Sequence, residues 1–291
     1  MPILLQDLLE FGYLRCTLAA LLLASVACGI VGGYVVARRQ SYMIGAISHS
    51  LIGGVGLARY LQVVHALTWF TPILGAVLAA VCASVSITLL TLRARARLDA
   101  VLSAVWTLGV ALGITFISLT PGYAEDLNSY LFGSILLVSP SDLAVMAALD
   151  LFIVVCAFLL HNRLLAYCFR PETIELRGLS ATGTALLLNL LIALTVVLLA
   201  QVVGIVLVLV LLVLPAATVS TLSHQLSNIM ALAGVLSLAL SLAGLAISYQ
   251  YDLPAGATIV ELTVAAFLAA SVIRAIRRRL ARRQLPPTPQ G

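Results

Sequence analysis

The chain has 291 residues, of which 62% are hydrophobic and 9% are charged, and its mean hydropathy is +1.15. A soluble protein of this composition would lack the polar surface that it needs, so a soluble fold is excluded and a helical membrane protein is predicted. The net charge of +5 comes from sixteen arginines without a lysine, most of which flank apolar runs, so membrane topology explains the charge and no nucleic-acid partner is indicated.

Nine apolar segments are long enough to cross a bilayer, at about 20 residues per crossing. They lie near residues 14–37, 42–62, 69–92, 98–119, 142–160, 182–201, 204–222, 227–248 and 256–274. The apolar run 183–222 must fold back on itself near 201–204, although a broken helix at that place is an alternative. We predict an all-α polytopic membrane protein with nine transmembrane helices, and eight or ten crossings remain open.

One apolar stretch, residues 130–138, is too short to span a membrane. It lies between the fourth and fifth predicted spans and is followed directly by Ser139 and Pro140. We predict a short re-entrant or interfacial helix near residues 128–138.

The arginines also predict the orientation of the chain. They cluster at residues 38–39, 93–97, 163–177 and 274–283. These clusters fall on one side of the membrane if the N-terminus is outside, which satisfies the positive-inside rule. We therefore predict a single transmembrane domain over residues 1–275, in contact with membrane lipid, and a cytoplasmic basic and proline-rich tail over residues 276–291.

Several catalytic motifs are absent from the sequence. A P-loop requires a lysine, which this chain does not contain, and neither HExxH nor GxSxG occurs. The five cysteines stand singly without a CxxC pair, so a thiolate metal site is not indicated. We predict a transport protein rather than an enzyme, with neither a nucleotide-binding site of its own nor a tightly bound cofactor.

Ionisable residues at membrane depth are informative, because a charge is costly to bury there. His49 is in the second span, and it is either a ligand or proton carrier or a histidine satisfied by a neighbouring helix. Asp150 in the fifth span is predicted to hydrogen-bond a neighbouring helix or to lie beside water. Glu261 near the start of the last span belongs to an ion path or faces water near the outer interface.

Four segments, in order along the chain, resemble the permease family of ATP-binding-cassette importers for zinc and manganese. Residues 38–49 (RRQSYMIGAISH) resemble its second span, and residues 130–133 (YLFG) with 139–143 (SPSDL) resemble its short middle helix and the exit from it. Residues 203–218, which contain LPAAT at 214–218, resemble its proline-alanine-alanine span. Residues 252–258 (DLPAGAT) are similar to its last outer turn, so the resemblance covers roughly residues 12–275.

The resemblance implies a permease subunit that imports a divalent transition metal, namely zinc, manganese or iron, in the inner or plasma membrane of a prokaryote. The implied partners are a separate cytoplasmic ATP-binding subunit, an extracytoplasmic metal-binding protein and a second permease copy, in a homodimer or a heterodimer. The matching segment for docking the ATPase is 170–178, which contains Pro171, Glu172, Glu175 and Gly178. Proline suits the first turn of a short helix, the glutamates favour its N-terminal end, and glycine suits its exit.

This chain departs from the family at one position of the metal path. The family usually has an aspartate four residues before the histidine, on the same helical face, where this chain has Gly45. We hypothesise that Glu261 supplies the missing negative charge, so the predicted metal path consists of His49 and Glu261. From their positions in the predicted spans, His49 and Glu261 lie about 12 Å apart along the membrane normal. That distance is too large for one coordination sphere unless helix tilt or different span boundaries reduce it.

The alternative function is a gradient-driven secondary transporter, in which His49, Asp150 and Glu261 would carry ions or protons without an ATPase. It predicts transport by this chain alone. The identity of the metal is open, because imidazole and carboxylate groups suit zinc, manganese and iron.

Overall fold

The computed structural model describes residues 12–121, 138–170, 172–176, 178–223 and 225–283, which contain helices and no strands. The helices are α1 (Gly12–Arg38), α2 (Ser41–Val64), α3 (Pro72–Leu92), α4 (Leu98–Ser118), α5 (Pro140–Leu159), α6 (His161–Phe169), α7 (Glu172–Leu176), α8 (Ala181–Val203), α9 (Ile205–Val219), α10 (Leu226–Tyr251) and α11 (Ala255–Arg283). The predicted all-α architecture is therefore confirmed. The predicted short helix near 128–138 lies outside the described residues, except for the non-helical Val138.

Eight of the described helices are long and apolar enough to cross a membrane, and α9 is a shorter apolar helix. The sequence predicts a full span over 204–222, but α9 has only 15 residues. At 1.5 Å per residue it is about 22 Å long, which is less than the hydrocarbon core of about 30 Å. In place of the turn predicted at 201–204, one residue, Gly204, separates α8 from α9. Its φ of 82° suits a residue without a Cβ.

The starts of α3, α5 and α8 are set by capping residues. The clearest case is α5, where the Ser139 hydroxyl accepts a hydrogen bond from the Asp142 backbone N–H at 3.2 Å. The Asp142 carboxylate accepts one in return from the Ser139 N–H at 3.1 Å, which completes a capping box ahead of Pro140 at the first turn. Thr71 and Ser180 cap α3 and α8 in the simpler way, through their hydroxyls.

The helix α2 lies at the centre of the described bundle. It packs against α3, α4, α8 and α9, while α1 packs against α10, α9 and α5. The helix α11 is the most exposed of the long helices and packs against α9 and α10. It continues to Arg283, so the boundary drawn between residues 275 and 276 falls inside one helix.

Glycines bring α2 and α4 into backbone contact. A Cβ added to Gly53 would lie 2.8 Å from the Gly109 carbonyl oxygen, and one added to Gly56 would lie 2.9 Å from that of Gly113. A Cβ added to Gly109 would lie 2.5 Å from Ser50 Cα. Real Cβ atoms do not approach so closely, so this helix pair keeps its spacing only while these positions stay glycine.

We expect Gly109→Ala to destabilise the protein by about 1–3 kcal/mol, because the added methyl group overlaps the backbone of α2. The matched control is Gly12→Ala in α1, since nothing lies within 4 Å of a Cβ placed there. The unfolding temperature of each variant in detergent measures the effect. Equal unfolding temperatures for the two variants would contradict the close approach of α2 and α4.

Candidate functional site

His49 presents one defined nitrogen from the centre of the bundle. It is half-buried on α2, and its Nδ1 lies 2.9 Å from the carbonyl oxygen of Gly45, one turn earlier on the same helix. A carbonyl oxygen can only accept a hydrogen bond, so Nδ1 carries the proton that is donated to it. In the neutral ring, Nε2 therefore keeps its lone pair and is free to bind a metal ion or a proton.

Trp106 of α4 covers one face of the His49 ring. The two ring centroids are 4.2 Å apart and the ring planes are inclined by 23°, which is a stacked arrangement. The contact follows from the packing of α2 on α4, because the Cβ position of Gly109, three residues beyond Trp106, lies 3.1 Å from the His49 carbonyl oxygen. The stack and the hydrogen bond to Gly45 hold the imidazole in one orientation.

Gly45 faces a space that other side chains already fill. A Cβ at this position would lie 3.2 Å from Cζ3 of Trp106 and 3.3 Å from Cδ1 of Leu209 on α9. Both distances are shorter than most contacts of real Cβ atoms. The usual family aspartate would therefore meet an indole in this chain.

Sequence reasoning missed Trp106. It lies near the middle of α4 rather than in the interfacial belts, where tryptophan is enriched in membrane proteins. The position of this tryptophan near the middle of an apolar span was the sequence feature that could have identified it.

Glu261 is exposed on α11, and the structure does not place it on a helix packed with that of His49. The helix α9 packs against both α2 and α11, so the two residues lie on helices that share a neighbour. Within the described part of the chain, no group of three or more histidine, cysteine, aspartate or glutamate side chains is placed to hold a metal. The joint role of His49 and Glu261 stays a prediction.

Asp150 lies on α5, a helix that packs against α1, α6 and α8. Its side chain is buried, and it lies near Cys28 of α1, which is itself beside Ser237 of α10. Among the described residues, Asp150 Oδ1 and Ser237 Oγ have no hydrogen-bond partner. Asp150 Oδ1 therefore accepts no hydrogen bond from a neighbouring helix in the described structure, and the other prediction, that Asp150 lies beside water, stays a prediction.

The segment expected to dock an ATPase contains the short helix α7. Glu172, Glu175 and Leu176 on it are exposed, whereas Ile174 is buried and anchors the helix to the bundle. Gly178 has a φ of 71°, and its N–H donates to the Glu175 carbonyl at 3.0 Å while that of Leu179 donates to the Ile174 carbonyl at 3.1 Å.

These two hydrogen bonds form a Schellman motif, which explains why glycine ends this helix. The predicted exit at Gly178 is thus observed, and the first-turn position predicted for Pro171 lies outside the described residues.

The helix α6 connects this segment to two spanning helices. The Tyr34 hydroxyl of α1 lies 2.8 Å from Nδ1 of His161, and the guanidinium of Arg38 lies 4.4 Å from the ring centroid of Tyr167. Arg163 Nε donates a hydrogen bond to Thr184 Oγ1 of α8 at 2.8 Å. The helix α7 packs against α6 and α8, so it is linked to α8 directly and to α1 through α6.

We expect the neutral His49 ring to be protonated at Nδ1, whereas free histidine favours the Nε2 tautomer. Solid-state ¹⁵N spectra of histidine-labelled protein in lipid measure the tautomer of each of the four histidines. The signal that is absent from His49→Gln belongs to His49. An Nε2–H signal at that position would contradict the hydrogen bond to Gly45.

Comparisons with known proteins agree with this architecture. Residues 10–274 match the model of the ABC 3 transport family. The chain is 38% identical over 244 residues to a "probable metal transport system membrane protein" of Chlamydia trachomatis, covering 84% of this chain and 83% of that protein.

Two further proteins extend the comparison. The chain is 32% identical over 255 residues to the manganese transport system membrane protein MntC of Halalkalibacterium halodurans, covering 88% and 85% of the two chains. Its structure is similar to that of PsaBC from Streptococcus pneumoniae, solved in complex with Fab, with a TM-score of 0.80, 26% identity and coverage of 92% and 94%. The chain belongs to the ABC 3 transport family.

Proposed function

We propose that this chain is the membrane-spanning permease subunit of an ATP-binding-cassette importer for a divalent transition metal, and not an enzyme. The observation that carries the proposal is the His49 ring, whose Nε2 is held available in the middle of the bundle by the hydrogen bond to Gly45. Imidazole nitrogen is a common ligand of divalent transition metals such as zinc and iron. The names of the relatives, which include manganese and iron transport proteins, support a metal as the substrate.

The partner that supplies the energy is a separate cytoplasmic ATP-binding subunit. The chain has no lysine and so no P-loop of its own. The exposed face of α7, with Glu172, Glu175 and Leu176, offers two negative charges beside an apolar side chain that is 86% exposed. Such a face fits a basic groove with an apolar floor on the ATPase.

The arginine clusters orient the protein with its N-terminus outside and α11 ending in the cytoplasm. In this orientation α6 and α7 also lie on the cytoplasmic side, where they can contact the ATPase. The opposite side holds the turn after α10, at which Asp252 adopts a left-handed conformation with φ of 53°. An extracytoplasmic metal-binding protein delivers its ion to that side.

A second permease copy completes the path in the bacterial plasma membrane. Among the described residues, one copy supplies His49 as a metal ligand, but it does not place two further histidine, cysteine, aspartate or glutamate side chains beside it. A tetrahedral site needs more donors than one imidazole, so a second copy or a related permease is required to enclose the ion. Glu261 is exposed on α11 and is available to such a neighbour or to the outer aqueous path.

Transport follows from the connections between the helices. ATP binding and hydrolysis on the partner displace α7, and the Arg163–Thr184 hydrogen bond passes the displacement to α8. The helix α8 continues through Gly204 into α9, whose Leu209 lies against Gly45 on the helix of His49. The displacement thereby reaches the helix of His49, and it changes the side of the membrane from which the His49 nitrogen is accessible.

We expect His49→Ala to lower metal uptake by about tenfold or more without lowering membrane abundance, because it removes a ligand of the path. Glu261→Gln should also lower uptake if its charge attracts the ion. The control is His65→Ala, since His65 is exposed directly after the end of α2 and its ring packs edge-on against that of Tyr60. Cell-associated metal is measured by mass spectrometry, and unchanged uptake in both variants would remove the assignment of the metal path.

We expect the double charge reversal Glu172→Arg and Glu175→Arg to release the ATPase, with affinity lowered by more than about tenfold, because like charges then meet at the interface. The control is Asp99→Arg, which reverses an exposed acidic residue in the first turn of α4, on the same predicted side. Co-purification of the ATPase in mild detergent measures the effect. Loss of the ATPase in the control alone would contradict docking through α7.

A further inference from the structure

We propose that Trp106 sets the metal preference of this permease, by excluding acidic side chains from the space beside His49 so that zinc is favoured over manganese. The inference rests on the proposed function, because it concerns the same site.

In the part of the chain that the structure describes, the helices packed around His49 bring no acidic side chain to it. The helices that pack against α2 over several residues are α3, α4, α8 and α9. Neither α2 nor α3, α8 or α9 contains an aspartate or glutamate. The acidic residue of α4 is Asp99 in its first turn, which is exposed and paired with Arg97 at 3.1 Å.

Asp99 is also distant from the site. It precedes Trp106 by seven residues, which corresponds to about 10 Å along the helix. The charged residue within α2 itself is Arg59, ten residues beyond His49 and positive. The donor that this chain offers to a metal beside His49 is therefore a neutral imidazole nitrogen without an adjacent carboxylate.

Trp106 keeps that space closed to an acidic residue. Its Cζ3 lies 3.2 Å from the Cβ position of Gly45, and its ring stacks on the imidazole of His49. A carboxylate at residue 45 would share a helical face with His49, one turn away, and would reach the same ion. Because a Cβ at residue 45 already lies this close to the indole, an acidic side chain there would require Trp106 to shift.

A neutral nitrogen site discriminates between metals by ligand preference. Imidazole suits zinc, copper, iron and nickel, whereas manganese favours carboxylate, carbonyl and water oxygen. Affinity for a nitrogen site also rises from manganese to zinc along the divalent series. Removal of the carboxylate thus weakens manganese binding more than zinc binding.

The test uses the permease assembled with its ATPase and its extracytoplasmic binding protein in liposomes, supplied with equal concentrations of zinc and manganese. We expect the wild-type protein to import zinc in excess of manganese. The double variant Gly45→Asp with Trp106→Ala provides a carboxylate and the space for it. It should shift the ratio of manganese to zinc uptake by about tenfold or more toward manganese.

The matched control is Gly45→Asn with Trp106→Ala, which has the same shape without the charge and should keep the wild-type ratio. An equal shift in both double variants would overturn the inference, since the effect would then come from space alone. Manganese uptake by the wild-type protein as fast as that of zinc would also overturn it, even if neither double variant folds. Failure of the wild-type assembly to import zinc, manganese or divalent iron would instead contradict the proposed function.

Discussion

The position of every group at the candidate site depends on the backbone contact between α2 and α4. Lipid surrounds the bundle and is as apolar as leucine, so helices associate in it through close packing rather than through the hydrophobic effect. Gly109 allows α4 to touch the backbone of α2 at His49 and Ser50. Trp106, one turn earlier on α4, is thereby brought flat onto the His49 ring. The same contact therefore fixes the helix spacing, the orientation of the imidazole and the filling of the space beside Gly45.

A second set of contacts links the proposed docking surface to this site. The buried Ile174 anchors α7, and α6 is joined to α1 by the Tyr34–His161 hydrogen bond and to α8 by Arg163 and Thr184. Together with the packing between these helices, such hydrogen bonds form a contiguous network of the kind that carries coupling between sites. Gly204 then separates α8 from α9 at one residue, where a change of backbone angle would move Leu209 relative to Gly45. The proposed coupling between the nucleotide cycle and the metal path thus passes from α7 through α8 and α9 to α2.

The sequence predicts those features that depend on local chemistry. The long spans follow from apolar length, and the end of α7 at Gly178 follows from the preference of glycine for a positive φ. The shortness of α9 was not predicted, because the run 183–222 contains no charged residue that would mark where a helix leaves the membrane. The Trp106–His49 stack was also out of reach. It depends on which face of α4 meets α2, and α4 is apolar on all sides, so hydrophobic periodicity does not distinguish its faces.

X-ray absorption at the zinc edge would decide whether His49 binds the transported ion. The zinc-loaded permease assembled with its ATPase should show nitrogen neighbours at about 2.0–2.1 Å, together with the outer-shell scattering of an imidazole ring. This scattering should be lost in His49→Gln and kept in His65→Gln. An identical spectrum in the wild-type protein and in His49→Gln would show that the ion binds elsewhere, and the proposed metal path would then be wrong.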